Sequence, residues 1–275
     1  IASFIGTLQA TYTDFHYLRH KWKETTEDGA LLGVSMTGIA SGKVNNLSLK
    51  ESSSKVMAAN EDWSEKLGIN KAARTTLVKP SGTTSLVLGT SSGIHAWHND
   101  YYIRRLRVGK NEKIYKYLNN EIPELVEDDK EKPDKQAVIS IPMKSPEEAV
   151  TRHESPINLL ERVRRFSRKW IVPGHRRGPN THNISATVSL KDDQWDRVGE
   201  WMWDNRTIYN GLSVLPHFGG SYEQAPFEDC SEEEYEEMVG HVNKINLKKI
   251  NEVNDNTKKA ESVACSGGQC EVEFL

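Results

Sequence analysis

Cysteine is nearly absent from this chain: Cys230, Cys265 and Cys270 are the only three among 275 residues. That is too few for the disulfide framework of a secreted domain. Long apolar runs are missing as well. Stretches such as Leu86, Val87 and Leu88 are strand-sized, far short of the roughly eighteen residues that mark a membrane span. No signal-peptide pattern opens the chain. Neither charge dominates: 36 Lys and Arg face 39 Asp and Glu, a net charge of −3. That balance argues against a nonspecific nucleic-acid or membrane-surface binder. What is left is a globular, cytoplasmic composition, 36% hydrophobic and 27% charged, with room for one large α/β domain or two smaller ones. An initial Met is lacking too. Residues 1–18 read as the middle of a helical pattern, with Phe4, Leu8, Tyr12 and Phe15 at helical spacing, so a fragment is expected.

The patterning alternates. A buried strand is expected over 30–39, a helix over 50–67 and a second strand over 74–78, closed by Pro80. Tyr101 to Val108 alternates arginines with Ile103, Leu106 and Val108, which suits a strand with one wet face. A helix over 110–121, a charged exposed loop over 127–135 and a strand over 137–141 follow. Ser155 and Pro156 then open a helix as N-cap and first-turn proline, and Pro173-Gly174 ends it. Asn183 to Leu190 reads as a strand, and Asp192-Asp193 starts a helix that turns Trp195, Val198, Trp201 and Met202 inward. Strand–helix alternation of this kind favours a wound α/β sheet or barrel. From Ser231 to Ser262 the chain is rich in Glu, Lys and Asn, at most an amphipathic helix followed by a flexible tether.

Two segments carry chemistry. In Lys79-Pro80-Ser81-Gly82-Thr83-Thr84-Ser85 a strand enters a proline turn and hydroxyl residues open a short helix. Free N–H groups and the positive helix end would make this corner an anion site, with the hydroxyls as extra donors; the same residues also suit an N-capping turn with no ligand. It is not a P-loop, whose glycine and Lys-Ser/Thr spacing is absent. The second segment is Cys265-Ser-Gly-Gly-Gln-Cys270, at the end of the polar tether. Its two glycines let the sulfurs approach disulfide distance. A dithiol on an arm of about twenty flexible residues, with a mean reach on the order of 25 Å, can exchange with a disulfide elsewhere. Zinc would need two further ligands at finger spacing, and these are missing. His95 and His98, the arginines 104, 105 and 107, and His175-Arg176-Arg177 read first as structural or solvated groups.

Taken together the segments resemble the adenosylcobalamin-dependent (class II) ribonucleoside-triphosphate reductases. The carrying pieces are Leu31 to Ala40 (LLGVSMTGIA), Thr75 to His95 (TTLVKPSGTTSLVLGTSSGIH), Tyr101 to Val108, Asn183 to Leu190, Gly211 to Glu228, and the CSGGQC tail. The resemblance implies the second half of a ten-stranded α/β barrel of the ribonucleotide reductase and glycyl-radical type, over residues 1–229. Residues 230–275 would form a polar tether and redox-active tail. It implies that Ser81, Gly82, Thr83, Thr84 and Ser85 hold the substrate phosphates. Cys265 and Cys270 would reduce an active-site disulfide and be re-reduced by a thioredoxin-like protein. Adenosylcobalamin would be the cofactor, a ribonucleoside triphosphate the substrate, and the missing N-terminal half of the enzyme a partner.

The family's radical cysteine, with its nearby asparagine, glutamate and two reducing cysteines, lies upstream of the KPSGT segment. No cysteine precedes Cys230 here, so this polypeptide alone is expected to lack reductase activity. Two alternatives stay open: the large subunit of a class I diphosphate reductase, and a noncatalytic nucleotide-binding or thiol-carrier module. Gly82, where class I enzymes usually carry an acidic residue, favours class II.

Overall fold

Apolar residues at three- and four-residue spacing build the helices of this chain, and period-two segments build its sheets. The computed structural model describes residues 1–217 and 223–250. In chain order it contains α1 (Ala2–Gln9), α2 (His20–Gly29), α3 (Leu49–Leu67), α4 (Gly82–Val87), β1 (Tyr101–Gly109) and α5 (Lys113–Glu121). There follow β2 (Val126–Asp128), β3 (Gln136–Lys144), α6 (Pro156–Phe166), β4 (Thr187–Leu190), α7 (Trp195–Asp204), β5 (Ser213–Pro216), β6 (Phe227–Asp229) and α8 (Glu232–Val242). The described residues divide into two units, 1–96 with 148–217, and 97–147 with 223–250.

The links of the first unit are parallel except for one antiparallel bridge, Arg74↔His175. Single bridges join Val34 to Thr76 and Val78 to Ile184, both parallel, and β4 pairs parallel with β5 from Thr187↔Ser213 to Leu190↔Pro216. Helices separate the linked segments along the chain, as parallel crossovers require. The core gathers on α6, whose Leu160, Val163 and Phe166 are buried against Val78, Ile184, Val188 and Leu190. Ser155 caps α6 by accepting the Asn158 N–H at 3.2 Å, as its sequence predicts. The helix then widens into a π-turn, Ser167–Ile171. There the Trp170 carbonyl accepts from Ser53 Oγ (3.0 Å) and Thr76 Oγ1 (2.6 Å), while its indole N–H donates to Leu77 O (2.9 Å). Those bonds tie α3, α6 and the 74–78 segment together without a long ladder.

The second unit is a regular antiparallel sheet in the order β2-β3-β1-β6. β1 and β3 stay in register from Tyr101↔Lys144 to Gly109↔Gln136. Its core is Leu118, Ile122, Leu125 and Ile139, with Met238, Val242 and Ile245 packed against it. α8 thus forms part of this unit: the amphipathic helix that the sequence allowed after Ser231, started by a capping box between Ser231 and Glu234.

Several local expectations change. The strands expected over 30–39 and 74–78 are met only at the single bridges Val34↔Thr76, Arg74↔His175 and Val78↔Ile184, and Ile39 opens a 3-10 turn. The helix expected through residue 18 stops at Gln9, and α2 starts only at His20. The loop expected at 127–135 begins as strand β2, and Asp129 within it is buried. Its carboxylate can be buried because it accepts from the Glu131 and Lys132 N–H groups (3.0 and 2.8 Å) and pairs with Arg107 at 2.8 Å. Trp195 is exposed rather than inward-facing, and Val198 carries the α7 packing.

Candidate functional site

The Lys79–Ser85 corner lies in the first unit. Val78 ends the segment before it, bonded on both sides of residue 184: its N–H donates to Asn183 O (3.3 Å) and its carbonyl accepts from Ser185 N–H (2.9 Å). Ser81 then leaves the strand path at φ −129°, ψ 56°. Its N–H donates to Ser92 Oγ (3.0 Å) and its hydroxyl to Thr37 Oγ1 (2.6 Å). Thr37 Oγ1 also accepts the Gly93 N–H (2.9 Å) and donates to Ser91 O (2.9 Å), so one threonine fastens three backbone segments. Gly93 has φ +56°, and a Cβ there would stand 2.7 Å from the Lys79 carbonyl oxygen. Only glycine suits both demands.

The first intrahelical bond of α4 runs from Ser85 N–H to Ser81 O at 2.7 Å. The N–H groups of Gly82, Thr83 and Thr84 therefore precede it and have no acceptor within the helix. Gly82 and Thr84 are exposed. Ser85 is buried, and its hydroxyl turns back to Gly82 O at 2.8 Å. The predicted residues thus divide. Gly82, Thr83 and Thr84 offer backbone donors, while the hydroxyls of Ser81 and Ser85 brace the turn.

Beside the corner is a cavity of about 290 Å³, lined by Pro80, His95, Asn183, Ser185, Thr187 and Ser213 among others. Sequence reasoning read His95 as structural and Asn183 and Ser185 only as strand residues; their convergence comes from the parallel link Val78↔Ile184, which no local pattern announces. His95 Nε2 accepts the Thr187 N–H (3.0 Å), which puts the ring proton on Nδ1, 3.2 Å from Ser92 O. Burial, reinforced by the charge of Arg162, lowers its pKa against the opposing pull of the Ser92 carbonyl, so the imidazole is neutral at pH 7. Asn183 Nδ2 donates to Gly211 O at 3.0 Å, whereas its Oδ1 is shut from solvent with no hydrogen-bond partner. Lys79 reaches over with its ammonium 2.7 Å from Ser185 Oγ.

Cys265 and Cys270 lie outside the described residues. Cys230, in the second unit, is half-buried, and burial together with the charges of Glu234, Asp229 and Glu228 pushes its thiol pKa up. That disfavours the thiolate and any role as a nucleophile. Among the described residues no group of three His, Cys, Asp or Glu side chains could hold a metal ion. No helix among them is long and apolar enough to cross a membrane.

No protein-family model matches the chain. Among curated proteins it is similar to the adenosylcobalamin-dependent ribonucleoside-triphosphate reductase of Lactobacillus delbrueckii, 27% identical over 79% of this chain and 29% of the relative. The enzyme of the same name from Euglena gracilis is 26% identical over 90% of this chain and 35% of the relative. The chain therefore spans about a third of the length of these proteins. A crystal structure of a B12-dependent (class II) ribonucleotide reductase shares its fold with a TM-score of 0.74, at 22% identity, over 90% of this chain and 39% of that one. In sequence over most of its length, and in fold, the chain is similar to a part of the adenosylcobalamin-dependent ribonucleoside-triphosphate reductases.

Proposed function

We propose that this chain is the C-terminal part of a ribonucleoside-triphosphate reductase, contributing the substrate-phosphate corner and the reducing tail. The observation that carries the reading is the corner itself. Three consecutive backbone N–H groups, Gly82 to Thr84, stand unspent at the start of α4, in a turn that Thr37, Ser92 and Gly93 hold rigid. Preorganised donors of this kind suit phosphate oxygens and require no rearrangement on binding. Ser81, Gly82, Thr83, Thr84 and Ser85 together form the phosphate site, with Ser81 and Ser85 acting through the shape of the turn. The helix-crossed parallel links of the first unit belong, in this reading, to half of a ten-stranded barrel within residues 1–229.

Cys265 and Cys270 carry the electrons, near the end of residues 230–275, of which α8 packs in the second unit. One tail thiolate attacks a disulfide in the rest of the enzyme, and the second closes the tail disulfide, releasing two reduced cysteines. A thioredoxin-like dithiol then restores the tail by the same exchange. The reading requires a reducing compartment such as the cytoplasm, where such thiols persist. Adenosylcobalamin would supply the radical that opens the reaction on the ribose. The residues described here give it no seat: the cavity of about 290 Å³ beside the corner is below the usual volume for even a drug-sized ligand. The one histidine on that cavity, His95, has both ring nitrogens engaged. The radical cysteine, in this reading, lies upstream of the KPSGT segment, since no cysteine precedes Cys230 here. The relatives' dependence on cobalamin disfavours the class I alternative.

Calorimetric titration with a ribonucleoside triphosphate tests the reading. The chain is expected to bind it, and Thr83→Ala with Thr84→Ala, which removes two hydroxyl donors but keeps the three N–H groups, to weaken it by no more than about tenfold, a loss of roughly 1.4 kcal/mol. Absence of binding would contradict the phosphate corner. Incubated with triphosphate, adenosylcobalamin and a dithiol, the chain alone should form no deoxynucleotide.

A further inference from the structure

Helix α1 is amphipathic in the wrong sense for a free surface. Toward α3 it buries its two hydroxyl residues. Ser3 Oγ donates to Val56 O (2.8 Å), and Thr7 Oγ1 donates to Ser3 O (2.7 Å) while accepting from Asn60 Nδ2 (3.1 Å). Its large aliphatic residues point the other way. Ile1, Ile5 and Leu8, with Tyr12 in the turn that follows, recur at four- and three-residue spacing, and all four are exposed. None of residues 1–13 carries a charged side chain, whereas the outer face of a surface helix is normally its charged one. The second unit has no comparable surface. Of the large apolar residues exposed among the described ones, only Leu106 and Leu247 belong to it.

We propose that the stripe of Ile1, Ile5, Leu8 and Tyr12 is a docking surface for the part of the reductase that this chain lacks, covered there by the apolar face of a helix. The inference rests on the reading of the chain as one part of that enzyme. In that reading the remainder is larger than the chain itself, which spans 29% and 35% of the two relatives. The stripe runs for roughly 16 Å, about three helical turns. Its four-and-three spacing forms a ridge that seats in the groove of a second helix. Its lack of charge points to a protein occupant, since the cores of protein interfaces are depleted of charged residues. Nucleic acid or a lipid surface would call for Lys or Arg beside the stripe, and residues 1–13 have neither.

The test mixes the full chain with the rest of the same reductase, produced as a separate polypeptide, and follows complex formation by light scattering and calorimetry. Wild type, Ile5→Glu, Leu8→Glu and Leu247→Glu are compared, with thermal melts confirming the fold of each. Wild type should form a one-to-one complex in which amide exchange slows along α1. Ile5→Glu and Leu8→Glu should each weaken it by about tenfold or more, and Leu247→Glu, on the second unit, should leave it unchanged. Undiminished assembly of both folded α1 variants would overturn the surface and leave the reading of the chain intact. Equal weakening by Leu247→Glu would overturn it as well, since the loss would not be particular to α1. A chain that dimerises through α1 on its own would replace the assigned occupant with a second copy and so refute it. Failure of wild type to form any complex also refutes the surface, while triphosphate titration of the chain judges the reading separately.

Discussion

The two units of this chain are held together by different means. In the second, backbone ladders do most of the work: β1 and β3 pair over nine consecutive positions. Charged residues on the sheet have local partners, Arg107 with Asp129 and Arg105 with Glu228 and Glu127. In the first, the linked segments meet mostly at single bridges, and side chains complete the backbone bonding. Thr76, Ser53, Trp170, Thr37 and His182 all bond to main-chain atoms of distant segments. The unit built from interrupted strands is the one that holds the cavity and the hydroxyl corner. Its ligand-facing N–H groups are free because they open α4, and side-chain bonds from Thr37 and Ser92 hold the turn that presents them.

Substitutions can break this comparison in descending order of effect. Phe166→Ala, at a residue 1% exposed in the centre of the first core, should cost about 3–5 kcal/mol. Chemical denaturation would read the loss, with amide exchange localising it to α6 and β4. Asp129→Ala in the second unit strands Arg107 and two N–H groups, and about 2–3 kcal/mol should be lost in the same assay. Ser155→Ala removes the α6 cap and should cost about 1 kcal/mol.

Acid should distinguish the units as well. Burial raises the Asp129 carboxyl, but the Lys132 N–H, Arg107 and the Glu131 N–H outweigh it, and the pKa is lowered on balance. A depressed carboxyl contributes stability above its unfolded pKa, near 3.9, and loses it as pH falls through the native value. The second unit should therefore hold until below about pH 4. In the first unit burial lowers the pKa of His95 and of His182. Their unfolded forms take up protons first, so stability begins to fall below about pH 6.5. Glu154, raised by burial against the pull of Arg162, acts in the opposite sense. Hydrogen exchange followed from pH 7 to 5 should thus loosen β4 before β1, and His182→Asn should reduce the difference. Equal acid sensitivity in both units would remove the contrast.

Much of this was legible in the sequence because it is local. The strand at Tyr101 to Val108, the Ser155-Pro156 start of α6 and the Asp192 start before α7 each declare themselves within one turn or one pleat. In β1, however, Arg104 is buried and Leu106 exposed, against the wet face expected for the arginines. The Ser81–Ser85 corner was equally visible, since proline, glycine and hydroxyl residues mark a helix start. What stayed hidden depends on residues far apart in the chain. Thr37 braces Ser81 across 44 positions and Lys79 meets Ser185 across 106, and neither pairing leaves a periodic trace. Asp129 was hidden for another reason: its charged neighbourhood reads as solvated until Arg107 and two N–H groups are seen around it. The redox dithiol remains a sequence reading, since Cys265 and Cys270 lie outside the described residues.

The central claim, that this chain carries a phosphate site, is tested most directly by residue-resolved amide shifts of the full chain during titration with a ribonucleoside triphosphate. The account predicts saturable shifts at the N–H groups of Gly82, Thr83 and Thr84, with Val138 and Ile139 of β3 unmoved. Saturation with those three amides unchanged, or shifts confined to the second unit, would contradict it.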